Sequence, residues 1–191
     1  LDDLVHRALE DAELHKAFHE RAQGGLVDID ETNAGTALLD RFHLRVEDDL
    51  AAEVAAAVGE ELARQGLAVE VLPMEAVKDL GAYGGVVAGA PMIMGWHRSA
   101  LGFLRKHRRA FQQMPLAVFV TAMSLTQTGE TSVEGAAVYV DAKLPKPPKS
   151  AGSLSFRERY ARLGNYVGPI FKAVRPAKPV SVGVFGGRLE Y

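Results

Sequence analysis

The apolar and polar positions of the chain alternate between two patterns. Short runs that are almost continuously apolar are typical of parallel strands covered on both faces. They lie at 68–72, 85–90, 116–122 and 180–185. The stretches between them have helical character, at 48–65, 97–111 and 155–174. With a weaker candidate first strand at 36–42, this alternation predicts an α/β fold built on a doubly wound parallel sheet of five strands.

Two of the helical stretches carry local signals for where a helix starts, stops and buries its surface. In the first, the apolar residues Leu50, Val54, Val58 and Leu62 repeat every four positions and form one stripe. In the last, Ser155 and Glu158 have the three-residue spacing of a capping box. The sequence therefore predicts an amphipathic helix before the second strand and a helix that begins after Ser155.

Two segments lie outside this alternation. Residues 1–24 have the pattern of a polar amphipathic helix, which predicts an N-terminal helical extension over 1–45 ahead of a main domain at 46–191. A long insertion at 123–154 contains a β-like piece at 136–140 and the stretch LPKPPK at 144–149. The Pro/Lys stretch is interpreted as an extended, solvated spacer, with a partner-binding motif as the alternative.

Composition narrows the classes of function. The chain has 191 residues, a formal net charge of −2 and no cysteine, which excludes disulfides, thiolate zinc sites, Fe–S clusters and a cysteine nucleophile. The balanced charge gives no reason to expect a nucleic-acid partner. No apolar run approaches the ~20 residues of a membrane span, and no signal peptide opens the chain. We therefore expect a cytoplasmic protein without a membrane span.

Three sequence motifs carry a resemblance to a known family. The run YGGVVAGAPMIMGWH at 83–97 resembles the third strand and flavin-ring loop of flavodoxin-like domains. It looks most like the branch that contains protoporphyrinogen dehydrogenase. Residues 157–166 resemble the helix before the last strand of that branch, and VSVGVFGGRLEY at 180–191 resembles its last strand and following turn.

The resemblance implies an FMN site at the carboxyl ends of the strands, where the first and third strands diverge. The loops after the third and fourth strands would border the flavin ring, which needs flat apolar walls and nearby backbone amides. The candidate cofactor-binding residues are Ala90, Pro91, Met92, Ile93, Met94, Gly95, Trp96, Thr121, Ala122, Met123 and Ser124. Trp96 would stack on the ring or, alternatively, pack the start of the next helix. The second loop has its own alternative, a polar turn that only opens the insertion.

The phosphate half of such a site is not recognisable in the sequence. No glycine or hydroxyl residue lies between Ala37 and Leu50, and the carboxylates Glu47, Asp48 and Asp49 would repel a phosphate. The candidate first strand also carries Asp40 and Arg41, which a central strand disfavours. Three explanations remain open: a degenerate site, FMN held in an unusual way with residues 1–45, or native stretches missing from this sequence.

The resulting functional expectation is an FMN-binding protein in electron transfer, or an FMN-dependent oxidoreductase. Its partner would be a redox protein or a small-molecule electron acceptor, and self-association into a homo-oligomer is compatible with the sequence. No catalytic acid or base is assigned. No metal site is predicted either, since the pair His15 and His19 has no third ligand in view. The alternative is a flavin-free scaffold or interaction domain.

Overall fold

The computed structural model describes residues 36–39, 49–92, 95–126, 130, 132–150 and 153–186. The predicted helix at 1–24, the stretch that would hold a phosphate at 40–48 and the turn after the last strand at 187–191 lie outside the described residues.

The core of the fold is a sheet whose strand order reverses once. The strands are β1 (Thr36–Leu39), β2 (Ala68–Val71), β3 (Gly85–Pro91), β4 (Leu116–Ala122), β5 (Leu125–Thr126), β6 (Ser132–Val133), β7 (Ala136–Val140), β8 (Pro145–Lys146) and β9 (Ser181–Gly186). Their order in the main sheet is β2-β1-β3-β4-β9-β7-β6, and the first five are mutually parallel. The predicted α/β fold with a doubly wound parallel sheet is confirmed.

The insertion enlarges this sheet from the five predicted strands to seven in the described residues. β7 pairs in parallel with β9, and β6 folds back antiparallel on β7 through a turn with positive φ at Glu134 and Gly135. The sequence indicated β7 as a strand but carried no signal for the strand it would pair with. β5 and β8 form a separate two-stranded parallel sheet. At the other end of the chain, β1 belongs to the sheet although it precedes residue 46, the boundary predicted for the main domain.

The helices follow the sequence pattern with two subdivisions. They are α1 (Asp49–Arg64), α2 (Arg98–His107), α3 (Phe156–Tyr160) and α4 (Leu163–Val174). The sequence pattern predicts one helix over 97–111. In the structure α2 ends at His107, and a separate 3-10 turn follows at Ala110–Gln112. The stretch at 155–174 divides into α3 and α4 near Ala161. The predicted capping box is confirmed: Glu158 N donates to Ser155 Oγ, and Ser155 N donates to the Glu158 carboxylate.

Apolar side chains cover both faces of the sheet. On one face, Val54, Val58 and Leu62 of α1 pack in one cluster with three residues of the strands, Val87, Phe119 and Phe185. On the other face, α2 and α4 pack against the alternate residues of the same strands, such as Val86, Val118 and Val184. Because both faces are buried, the strands need apolar residues at nearly every position, which is the pattern read from the sequence.

Candidate functional site

The sheet has its topological switch point between β1 and β3. From β1 the chain passes through α1 to β2 on one side, whereas β3, β4 and β9 continue on the other side. The loops that follow neighbouring strands on the two sides of this point diverge, which leaves a crevice at the carboxyl edge of such sheets. The loops after β3 and β4 both leave the sheet at this edge, since Pro91 at the end of β3 pairs in register with Thr121 near the end of β4. The loop after β1 lies outside the described residues.

The loop after β3 is a tight reversal that is tied to β4. Met92 N donates a hydrogen bond to Thr121 O at 2.7 Å, and Met92 forms an antiparallel bridge with Trp96. Gly95 has φ +118, a conformation that side-chain-bearing residues rarely adopt. The glycine is therefore required by the turn, and it brings backbone rather than side chain to the surface of the edge.

Trp96 lies at the end of this loop, with its side chain buried in the protein core. Its side chain is only 4% exposed and belongs to the main hydrophobic core, and its Nε1 donates to Ala90 O at 3.2 Å. A ring that stacks on a ligand needs one free face at the site, and this indole has almost no free surface. The geometry favours the packing role over the stacking role for Trp96.

The predicted site residues divide into a buried group and a surface group. The buried residues, which form the floor of the edge, are Ala90, Pro91, Met92, Trp96, Thr121 and Ala122. Those that reach the surface are Gly95 and Ser124, both partly buried, and Met123, which is 63% exposed. Ile93 and Met94 lie outside the described residues. The structure thus brings the loops after β3 and β4 together but leaves only a few of their residues open to a ligand.

Sequence reasoning missed the aromatic residues of α3 and α4 that complete this edge. Tyr160 lies next to Gly95, since a Cβ added to that glycine would be 3.7 Å from the Tyr160 hydroxyl. The ring of Tyr160 packs edge-on against Tyr166 with centroids 6.2 Å apart, and the Tyr166 hydroxyl donates to Ser124 O at 2.8 Å. Phe156, one helical turn before Tyr160, is 76% exposed. The capping box fixes where α3 begins, and it was the signal that could have placed these rings.

Hydrogen bonds hold α3 against the insertion. Glu158 accepts from Lys149 N and Ser155 N at 2.7 Å each. Hydrogen bonding with the Ser155 side chain first, and then these two backbone bonds, lower the pKa of Glu158 to about 2. Thr126 Oγ1 donates to Glu158 O at 2.7 Å. Burial raises the pKa of Tyr166, so its hydroxyl stays protonated and can donate to Ser124. The short helix is thereby fixed beside the loops after β3 and β4.

The donor set at this edge fits the ring of a flavin. Met123 is 63% exposed and Tyr160 is 38% exposed, so both offer apolar surface to a ligand. Gly95 offers a close backbone approach, and the partly buried Ser124 carries a hydroxyl in the loop after β4. A flat ring with polar edges needs this combination of apolar contact and a few hydrogen-bonding groups.

Comparison with protein families agrees with the topology. The model of the flavodoxin domain family matches residues 51–191, and the chain belongs to this family. Flavodoxin domains typically bind flavin and act in electron transfer. Searches of curated proteins and of solved structures found no match. Among the helices of the described residues, none combines the length and the apolar character that crossing a bilayer requires.

Proposed function

We propose that this chain is an FMN-binding flavodoxin-like protein that acts in electron transfer or flavin-dependent oxidoreduction. The observation that carries the proposal is the carboxyl edge at the β1/β3 switch point, where Gly95, Met123 and Tyr160 present backbone and apolar surface together. The family of the domain supports a flavin as the ligand.

In this proposal the residues of the chain bind and orient the ring. The side chains of Met123 and Tyr160 contact the faces of the ring and exclude water from them. The burial of apolar surface on both sides stabilises the bound ring. Ser124 and the backbone around Gly95 donate and accept hydrogen bonds at its polar edge. When bound, FMN supplies reversible uptake of one or two electrons, and these contacts set how readily it does so.

The finer assignment is to the protoporphyrinogen dehydrogenase-like branch. Two sequence motifs support it: GAPMIMGWH at 89–97 and the last strand VSVGVF at 180–185. Within the first motif, the positive φ of Gly95 favours a glycine at that position. Supplied with an excess of a quinone as electron acceptor, an FMN-loaded protein of this branch would remove six electrons and six protons from protoporphyrinogen in three two-electron reductions of FMN, each followed by transfer to the quinone. The porphyrin formed would be detected by its fluorescence. Absence of porphyrin formation by a yellow protein would remove the branch assignment and leave the flavin assignment intact.

The alternative is a flavin-free scaffold domain. The acidic stretch at 43–49, which has neither glycine nor hydroxyl residues, favours it, because a phosphate would be repelled there. Titration of FMN with the purified protein separates the two: flavin binding predicts a yellow protein and quenching of FMN fluorescence, whereas a colourless protein that leaves this fluorescence unchanged supports the scaffold.

A matched pair of variants locates the binding. Met123→Ala removes exposed apolar surface at the carboxyl edge and should weaken FMN binding by about tenfold, or ~1.4 kcal/mol. Lys178→Ala removes an exposed side chain just before β9, at the opposite edge of the sheet, and should leave the affinity unchanged. Equal effects of both variants would show that FMN does not bind at the carboxyl edge.

A further inference from the structure

The surface beside the candidate site has a charge opposite to that of the whole protein. Residues 141–160 contain five Lys or Arg against two Asp or Glu, a formal net charge of +3 in a chain of net charge −2. Four of the cations lie in two neighbouring segments, and one of these segments also carries an exposed aromatic ring. We call this set the aromatic–basic patch, and it consists of Lys146, Lys149, Phe156, Arg157 and Arg159.

The patch is one surface because its two segments are bonded to each other. The backbone N of Lys149 donates to the Glu158 carboxylate at 2.7 Å. Lys146 pairs with Thr126 in the small sheet, and Thr126 Oγ1 donates to the carbonyl oxygen of Glu158 at 2.7 Å. The Pro/Lys stretch therefore lies on the surface beside α3, with the side chains of Lys146 and Lys149 exposed.

The cationic side chains of the patch are available to a partner. All four are exposed, and none takes part in an ion pair within the described residues, whereas Arg162 pairs with Glu130 at 3.2 Å close by. Both oxygens of the Glu158 carboxylate accept backbone hydrogen bonds. Phe156 is 76% exposed on the same short helix as Arg157 and Arg159. An exposed aromatic residue among unpaired cations has the composition of a protein interface that recognises an acidic surface.

The position of the patch connects it with electron transfer. Tyr160, at the end of α3, borders Gly95 in the candidate flavin edge, so a protein bound over α3 would bring its own surface to that edge. A bilayer surface is a poorer fit, since a five-residue helix offers only one aromatic anchor and no extended apolar face.

We propose that the aromatic–basic patch is the docking surface for an acidic protein that exchanges electrons with the flavin. This inference rests on the proposed function, because it assigns the partner of the same site. The positive charge of the patch attracts an acidic partner, and it should therefore raise the rate of association at low salt.

A flavin-independent experiment tests the surface first. The full chain is titrated into a fluorescein-labelled poly-glutamate peptide at about 20 mM and about 500 mM salt, and fluorescence anisotropy is recorded. We expect binding that weakens at least about tenfold at high salt. The variant Lys146→Gln/Lys149→Gln/Arg157→Gln should lose at least about fivefold in affinity at low salt.

A control variant separates the patch from net charge. Arg105→Gln/Arg108→Gln/Arg109→Gln removes the same charge from exposed positions at the end of α2, on the opposite edge of the sheet. This variant should bind the peptide as the unmodified chain does. Equal losses in the two triple variants would overturn the proposal, and so would binding to phosphatidylserine vesicles without binding to the peptide.

A second measurement uses the flavin-loaded protein. After reduction with one equivalent of dithionite, each flavin gives two electrons to two ferricyanide ions and releases its protons to solvent. We expect faster reoxidation by anionic ferricyanide at low salt than at high salt, and loss of this acceleration in the patch variant only. A patch that accelerates ferricyanide but does not bind the peptide would indicate a small anionic acceptor and overturn the protein partner. A colourless protein would refute the proposed function, while the peptide result would still decide whether the patch binds an acidic surface.

Discussion

The indole Nε1 of Trp96 donates a hydrogen bond to the carbonyl oxygen of Ala90, 3.2 Å away and six residues earlier in the chain. The loop after β3 is therefore fastened to the strand from which it leaves. The bridge between Met92 and Trp96 closes the same reversal through the backbone. These two contacts hold the ends of the loop, Met92 and Trp96, close to the end of β3.

This bond leads to a prediction for Trp96→Phe. Phenylalanine keeps most of the buried apolar surface but leaves the carbonyl oxygen of Ala90 without its donor. We expect the free energy of unfolding to fall by about 1–2 kcal/mol, measured by urea denaturation. Trp96→Ala, which also opens a cavity, should cost about 3–5 kcal/mol.

The same variants distinguish packing from stacking. If Trp96 only packs the loop, Trp96→Phe should leave FMN affinity within about threefold of the original value. An unchanged stability combined with a large loss of FMN affinity would contradict the packing role and return Trp96 to the flavin ring.

The parts of the fold that could be predicted from the sequence are those in which nearly every residue is buried. The run at β3 is apolar throughout because α1 covers one face and α2 and α4 the other, so its composition alone identified it. The strand β1 was harder to recognise, since the candidate run 36–42 carries Asp40 and Arg41, which are unfavourable in a central parallel strand.

Only the part of the candidate site that lies within one short segment of the sequence could be predicted. The loop at 92–96 has a recognisable motif, whereas Tyr160 reaches Gly95 from 65 positions further along the chain. That approach depends on hydrogen bonds from Lys149 and Thr126 that fix α3, and no periodicity encodes them. The burial of Trp96 was likewise not fixed by the sequence, since an indole at this position suits packing against the next helix as well as stacking on a ring.

A close approach between Gly89 and Phe119 gives a second prediction. A Cβ on Gly89 would lie 1.8 Å from Cζ of the Phe119 ring, which is itself buried between strands and α1. Gly89→Ala should therefore lower the free energy of unfolding by about 3 kcal/mol or more, measured by chemical denaturation. Gly89→Ala combined with Phe119→Leu should recover part of this loss, because the smaller side chain vacates the space.

Gly102 provides the matched control. It lies in α2 with no atom within 4 Å of an added Cβ. Gly102→Ala should raise the free energy of unfolding by about 0.5–1 kcal/mol, since alanine loses less backbone entropy in a helix. A similar loss in both glycine variants would show that the contact with Phe119 is not the cause.

The buried imidazole of His107 predicts a dependence of stability on pH. Its Nε2 is buried and has no hydrogen-bond partner among the described residues, and its ring packs against Phe103 with centroids 4.8 Å apart. Burial, with Lys106 nearby, lowers the pKa of His107, while Asp79 opposes the shift. Because the unfolded chain then binds more protons below about pH 6.5, stability should fall as the pH drops from 7.5 to 5.5.

His107→Leu removes this titration and should flatten the pH dependence relative to the unmodified chain. The free energy of unfolding is measured by urea denaturation at several pH values. Gln112→Leu, an exposed neutral position in the following 3-10 turn, is the control and should keep the original slope. A slope that persists unchanged in His107→Leu would assign the effect to other groups.

The carboxylate of Glu158 gives the last prediction, which concerns local order. It accepts hydrogen bonds from Ser155 N and Lys149 N, and its pKa is lowered to about 2. A lowered carboxyl pKa means that the stabilisation is complete above pH ~4.5 and is lost as the pH falls towards 2. Glu158→Gln should therefore loosen α3 and the Pro/Lys stretch at neutral pH, as acid does in the unmodified chain, and hydrogen exchange of the Lys149 and Ser155 amides should accelerate. Glu60→Gln, on the exposed side of α1, should leave both amides protected; protection that survives Glu158→Gln would mean that the aromatic–basic patch is held together without this carboxylate.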